Sequence, residues 1–340
     1  MKRFLGALAV LLIALYPAGC SRFLPDCRRP EVFCAGLVTN TAGLDDHGLN
    51  ASSWAGINHA ALENLVQKAV VIESVDTRDY SKNIATFAGA GYDVIVTSGA
   101  GLKDETLAAA RAHETLRFVG VDQEPEASPL PNFATVTFPQ DQGGFLAGAL
   151  AAQLTRTSVI GAACETSGLA SMWLTCEGFR AGARYIKPDI KVFVEYRKGS
   201  SPSDLFLNED WGRQSAQGMI HDGADVIFGA GGRIGQGALS AAAEARIWSI
   251  GSEQDQYYAI REARPYLLTS VLPDASEAVY QLIRLIRNGE PTHDVQGYME
   301  LAPYHDMERF VPESAQKALT ELGQALRNGS VLTNVAPEAP

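Results

Sequence analysis

Gly91-Tyr92-Asp93-Val94-Ile95 recurs as Gly223-Ala224-Asp225-Val226-Ile227, and each copy runs into a glycine-rich turn, Ser98-Gly99-Ala100-Gly101 and Gly229-Ala230-Gly231-Gly232. Val119-Gly120-Val121-Asp122-Gln123-Glu124 recurs as Ile250-Gly251-Ser252-Glu253-Gln254-Asp255. The offsets are 132 and 131 residues, so two segments repeat at one near-constant spacing. Such self-similarity marks a duplicated structural unit. In each copy a short apolar run ends in a small or acidic residue. In an open α/β sheet, ligands bind beyond the carboxyl ends of the strands. Two facing lobes would therefore bring both glycine turns and both acids, Asp122 and Glu253, into one cleft.

Outward from the repeat, strand-like runs alternate with helical patterns. Val32–Val38 reads as a strand, Asn50–Lys68 as a helix, and Ala69–Val75 as a strand buried on both faces. The alternation continues to Trp248–Ile250, interrupted by the proline-rich Pro125–Pro131 stretch, and implies βαβ units. Tyr266–Leu272, Glu277–Asn288, Gln296–Ala302 and Pro312–Arg327 have no partner in the repeat. The simplest path crosses back to the first lobe and returns. The expected fold is thus α/β, two similar doubly wound parallel-sheet lobes joined by a three-crossover hinge. The expected division is 1–19 leader, 20–30 linker, 31–125 plus 254–290 lobe 1, 126–253 plus 291–332 lobe 2, and 333–340 tail.

The 340 residues are 46% apolar and 20% charged, the composition of a globular chain with a substantial core. The net charge of −11, with no basic tract, disfavours a nucleic-acid partner. Lys2 and Arg3 precede an apolar stretch, Phe4–Tyr16, that is short for a membrane span. Ala18-Gly19-Cys20 then resembles a bacterial lipobox, although Tyr16 and Pro17 stand where an aliphatic residue is usual. Either a lipid on Cys20 anchors an exported protein to a membrane, or an ordinary signal peptide is removed near Cys20. With Cys20 acylated, four cysteines remain for an oxidising compartment. Cys27 with Cys34 and Cys164 with Cys176 are the local pairs; the alternative is buried free thiols. There is no CxxC and the six histidines are scattered, so no metal is expected.

Several motifs, in order, resemble the basic membrane protein family of ABC-transporter substrate-binding lipoproteins, which has the type I periplasmic-binding fold. They are Gly36–Asn40, Gly43–Asp46, Leu49–Gly56, Gly91–Ile95, Val136–Phe138, Gly143–Gly148, Gly178–Gly182, Gly223–Phe228 and Leu268–Val271. The resemblance runs from about Val32 to Leu332. It implies a monomeric, cofactor-free, non-enzymatic receptor that closes on a small ligand, typically a purine nucleoside, and delivers it to a membrane permease. It places the first ligand-binding loop at Asn40–Asn50. Asn40 stands where the family often has Asp. Leu49 replaces a stacking aromatic, and Leu272-Pro273 replace a lysine. Asp122 keeps an acid at the end of the first-lobe strand. Glu253 stands for the Asp that accepts hydrogen bonds from ribose hydroxyls.

The residue chemistry suits a polar, neutral ligand, because carboxylates only accept hydrogen bonds and would repel an anion. The candidate contacts are Asn40, Asp46, Leu49, Asn50, Ser98, Asp122, Trp173, Gly231 and Glu253. Each has a structural alternative. Asp122 and Glu253 could cap the following helices, Asn50 could cap the first helix, Gly231 could serve only a turn, and Trp173 could pack in the core. Nucleosides stand ahead of other polyhydroxylated or heterocyclic metabolites as ligand. A dehydrogenase reading fails because Gly229–Ile234 breaks GxGxxG, and a GxSxG hydrolase motif is missing. A sensor that presents its ligand to a membrane receptor remains the alternative to transport.

Overall fold

A computed structural model describes residues 25–199 and 204–339. The leader, Cys20 and most of the linker lie outside the described residues. Among those residues no helix is long and apolar enough to cross a membrane, and no metal-ligating cluster occurs.

The chain builds two six-stranded sheets. The first half contributes β1 (Cys34–Thr39), α1 (Leu49–Leu62), β2 (Lys68–Ile72), α2 (Tyr80–Gly89), β3 (Val94–Ser98), α3 (Lys103–Ala112), β4 (Arg117–Val121) and β5 (Phe133–Thr137). Then come α4 (Gln140–Leu154), β6 (Val159–Cys164), α5 (Ala170–Ile186), β7 (Lys191–Tyr196), α6 (Glu209–His221), β8 (Val226–Ala230), α7 (Arg233–Ala245), β9 (Trp248–Ser252), the one-turn α8 (Gln256–Ala259) and β10 (Leu267–Asp274). The chain ends with α9 (Ser276–Arg287), β11 (Val295–Gln296), β12 (Tyr298–Leu301) and α10 (Glu313–Arg327). The strand orders are β11-β5-β4-β3-β1-β2 and β12-β10-β9-β8-β6-β7. Every pairing is parallel except that of β10 with β12. The central strands β1, β3 and β8 are buried at every position, as helices on both faces require.

The repeat explains the similarity of the sheets. Gly91 and Gly223 both take positive φ, 79° and 100°, and turn the chain into β3 and β8. Asp93 and Asp225 then accept backbone N–H groups at the amino end of each sheet, from Cys34 at 2.7 Å and from Arg156 at 2.7 Å. These aspartates are structural.

Three expectations need correction. The first helix stops at Leu62 rather than Lys68, because Asn64 adopts a left-handed φ of 61° and the Leu65 N–H turns back to Ala60 O at 2.9 Å. The strand after it is the sheet edge and is only half-buried. The lobe boundaries also move. β5 pairs with β4 in the first sheet, pinned by the Asn132 amide on the carbonyls of Ala110, His113 and Leu116. β10 pairs with β9 in the second sheet. The crossings therefore fall at Phe138–Pro139, at Ala275 and at Gly297. Residues 25–137 and 276–296 make one lobe, and 139–274 and 298–332 the other. The tail lies on the second lobe, where Trp173 Nε1 donates to Ala336 O at 2.9 Å.

The cysteines pair as Cys27–Cys34 and Cys164–Cys176, with Cα–Cα separations of 5.7 and 6.6 Å. The second bond ties the end of β6 to α5.

The Gly143–Gly148 and Gly178–Gly182 motifs prove to be a helix–helix seam. A Cβ on Gly144 or Gly148 would sit 1.8 Å from Thr175 O or 1.9 Å from Phe179 O, and one on Gly182 would sit 2.0 Å from Phe145 O. The backbones of α4 and α5 touch, so these positions have no room for a side chain. Gly218, exposed on α6, has nothing within 4 Å. Alanine should gain about 0.5–1 kcal/mol at an open helical site. Overpacking against rigid backbone costs about 1–3 kcal/mol or more. Gly218→Ala is thus expected to raise the denaturation midpoint in urea and Gly148→Ala to lower it. Equal effects would contradict the seam.

Candidate ligand-binding cleft

Both sheets point their carboxyl ends at the space between the lobes. On the first lobe β4 ends just before Asp122, and on the second β9 ends just before Glu253. Each residue donates its backbone N–H to the neighbouring strand, Asp122 to Val136 O at 2.7 Å and Glu253 to Val271 O at 2.9 Å. Each then takes positive φ, 58° and 73°, which bends the chain out of the sheet. A left-handed backbone at a non-glycine residue costs of order 1–3 kcal/mol and clusters at functional sites. Here it occurs at the same point of both repeats and turns an acidic residue out of each sheet at its carboxyl end.

The two acids are handled differently. Glu253 Oε1 accepts Gly231 N–H at 3.1 Å and Oε2 accepts Gly232 N–H at 3.0 Å. Its longer side chain folds back onto the turn at the N-terminus of α7, where the helix dipole also favours an anion. Desolvation of its carboxyl raises its pKa, opposed by those two hydrogen bonds, while Glu165 adds a smaller upward push. Asp122 has no comparable donors among the described hydrogen bonds. Burial in the cleft, reinforced by Glu124 and Glu253, lifts its pKa to about 7. The Glu253 charge contributes the smallest of these upward pushes on Asp122.

The helix after Glu253 is capped by Asp255, whose carboxylate accepts Tyr257 N–H at 3.2 Å. Glu253 is therefore not the cap of its own following helix. The amide of Gly231 is engaged by Glu253 instead of facing the cleft unpaired.

Loop 40–48 is organised by its own side chains. Asp46 accepts N–H groups from Gly48, Asn50 and Ala51 at 3.0, 2.8 and 3.0 Å, and so caps α1. Asn50 does not cap it. It lies fully buried in the first turn and donates to Asn40 Oδ1 at 2.9 Å and Gly43 O at 2.8 Å. Its own Oδ1 is buried without a partner. Asn40 Oδ1 also accepts Ala42 N–H at 2.9 Å. Leu49 packs against the core. Ser98 is fully buried, with its Oγ 3.2 Å from Ser53 Oγ, so it ties β3 to α1.

The braced loop reaches the second lobe. Gly48 forms an antiparallel bridge with Gln254, His47 O accepts Asp255 N–H at 3.0 Å, and the His47 ring stacks on Tyr258 with centroids 3.8 Å apart. The rims of the cleft touch here. Trp173 does not join this group. Its ring lies against Tyr196 at 5.9 Å and its N–H is on the tail.

Phe206, which sequence reasoning missed, stands beside the glycine turn that holds Glu253. It is half-buried, takes a positive φ of 65°, and its Cβ would lie 2.9 Å from a side chain on Gly232. The only sequence signal was an aromatic following a polar stretch. A surface concavity of about 540 Å³ borders this loop, lined by Asp204, Leu207, Asn208, Glu209, Asp210 and Arg233, outside the group formed by Asp122 and Glu253.

Residues 35–296 match the family described as ABC transporter substrate-binding protein PnrA-like. The chain is similar to the ABC transporter nucleoside-binding protein BmpA of Lactococcus lactis, 32% identical over 237 residues, 66% of this chain and 64% of that protein. It is similar also to basic membrane protein A of Borreliella afzelii, 30% identical over 218 residues, 63% of this chain and 64% of that protein. The match thus spans slightly less than two thirds of each relative. An ABC transporter solute-binding protein from Conexibacter woesei has the same fold, with a TM-score of 0.71 at 21% identity, covering 88% of this chain and 98% of that one.

The carboxylates carry a pH dependence whose sign follows from their environment. In the unfolded chain Asp122 loses its proton near the ordinary value of 3.8; in the fold it does so at about 7. Below 3.8 both states hold the proton and there is no penalty. As pH rises from about 4 to 7, only the unfolded state releases it, so stability falls across that window. Asp122→Asn is expected to flatten this part of a thermal-stability profile recorded without added ligand. A variant with the wild-type slope would remove Asp122 as its source.

Proposed function

Because the chain belongs to the family of PnrA-like ABC transporter substrate-binding proteins, we propose that it is the extracytoplasmic receptor of an ABC transporter and that it captures a nucleoside between its lobes. The observation that carries this reading is the pair of acids, Asp122 and Glu253, that follow the equivalent strands β4 and β9 with the same left-handed backbone. Vicinal hydroxyls and heterocyclic N–H groups are donors, and a carboxylate can only accept. A neutral donor-rich ligand relieves the mutual repulsion of the acids, whereas a phosphorylated one adds to it. The nucleoside class is supported by the relative from Lactococcus lactis, described as nucleoside-binding.

In this reading Asp122 accepts hydrogen bonds from one end of the ligand and Glu253 from its ribose hydroxyls, while the Phe206 ring supplies the apolar face for the base. Phe206 takes over the stacking that neither Leu49 nor Trp173 provides. The ligand bridges the lobes, and the hinge at the three crossings lets them close on it. Delivery goes to a membrane permease. The receptor works as a monomer, held at the membrane by lipid on Cys20, and performs no chemistry on its ligand.

Titration calorimetry with inosine, adenosine, cytidine, free ribose and a nucleoside monophosphate tests the reading. Nucleosides are expected to bind, the monophosphate to fail, and Glu253→Ala to weaken nucleoside binding by about 1–3 kcal/mol through lost hydrogen bonds. Binding of the monophosphate as tightly as the nucleoside would overturn the neutral-ligand assignment.

A further inference from the structure

Behind the glycine turn lies a buried ion pair, Glu165 with Arg197. Glu165 follows β6 as Asn40 follows β1, and the strand registers Thr39↔Ser98 and Cys164↔Ala230 place them at matching points of the two sheets. Both lean on the equivalent glycine. The Asn40 amide is 2.8 Å from the position of a Cβ on Gly99, and the Glu165 Cβ is 2.7 Å from that on Gly231. In the first lobe Asn40 braces the loop that reaches the cleft. Glu165 makes the corresponding contacts in the second.

Glu165 is 0% exposed and Arg197, at the end of β7, 5%. Arg197 Nε donates to Glu165 Oε1 at 2.9 Å, and its other nitrogens reach the Asp204 carboxylate at 3.1 Å and the Asp204 carbonyl at 3.0 Å. Glu165 Oε2 accepts Phe206 N–H at 2.6 Å. Phe206 O in turn accepts Arg233 N–H at 2.8 Å, at the start of α7. The carboxylate therefore grips the residue whose backbone is in the left-handed region, and the guanidinium grips the residue two before it. Burying two charges is costly, and replacing such a pair with apolar residues is often neutral for stability. A role in holding a conformation accounts for its presence better than stability does.

We propose that Glu165 and Arg197 are positioning residues that set the preference for ligands with a planar base, by fixing Phe206 over the Gly231–Gly232 turn. The proposal rests on the reading of Phe206 as the base-stacking residue, and its test separates the two. Hydrogen exchange read by mass spectrometry on the protein without added ligand addresses positioning alone. The Phe206 amide is expected to be protected in the wild type and to exchange at least about tenfold faster in Glu165→Ala, since its buried acceptor is gone, with β8 unchanged. Glu165→Gln keeps an acceptor and should retain most of the protection; it serves also if Glu165→Ala folds poorly.

Calorimetry with inosine and with free ribose addresses the consequence. Glu165→Ala, Arg197→Met and Phe206→Ala are each expected to weaken inosine binding by about 3- to 10-fold, the worth of one stacking contact. Ribose binding should not change, and Glu165→Ala combined with Phe206→Ala should be no weaker than Phe206→Ala alone. A general structural defect would weaken ribose equally and would add to Phe206→Ala. Wild-type exchange at Phe206 in Glu165→Ala, or additive losses, would overturn the proposal. If the wild type binds no nucleoside while Phe206 loses protection in Glu165→Ala, the positioning stands and the stacking role, with the preference it implies, is wrong.

Discussion

The two lobes meet where three chain crossings are packed against one glycine. Gly297 N–H donates to Thr137 O at 2.8 Å, beside the first crossing. A side chain at Gly297 would lie 2.5 Å from the Phe138 ring and 2.9 Å from Asp274 O, which belongs to the second. Gly297 is itself the third. The strands on either side are committed to different sheets, so the junction cannot be rearranged without breaking one of them. In the proposed reading this junction is the hinge about which the lobes close. The repeat makes the two sheets alike, and this junction joins them.

The cleft is an electrostatic compromise. Two carboxylates at equivalent strand ends are forced towards each other by the topology. Glu253 is relieved by two backbone N–H groups at the N-terminus of a helix, and Asp122 is left as the strongly perturbed partner. In the proposed reading a ligand that donates hydrogen bonds relieves this repulsion and an anionic one adds to it. The contacts of His47 with Asp255 and Tyr258 lie at the rim, so lobe closure has a component independent of ligand chemistry.

Much of this was legible in the sequence because duplication is a one-dimensional signal. The repeat located both glycine turns and both acids, and the strand–helix alternation located nearly every element. What was not legible depended on neighbours distant in sequence. The positions of β5 and β10 are decided by pairing with β4 and β9, and nothing within Phe133–Phe138 or Tyr266–Leu272 reports it. Asp46 and Asn50 are both good cap residues four apart, and only the loop path decides that Asp46 caps while Asn50 is buried behind it. Trp173 was attractive as an isolated aromatic at a helix start, but the tail arriving from 163 residues away occupies it. Nothing local in the sequence marks Phe206, because its placement comes from a left-handed backbone and a carboxylate 41 residues upstream. The glycine pairs of α4 and α5, spaced four apart, carried a packing signal that resembled family motif and no more.

The central claim is that ligand binding closes two rigid lobes about Gly297. Small-angle X-ray scattering of the protein, titrated with inosine, tests it most directly. The account predicts that the radius of gyration falls on saturation and that the saturated curve fits the arrangement in which Gly48 touches Gln254. Inosine that binds by calorimetry while the scattering curve stays unchanged would contradict it.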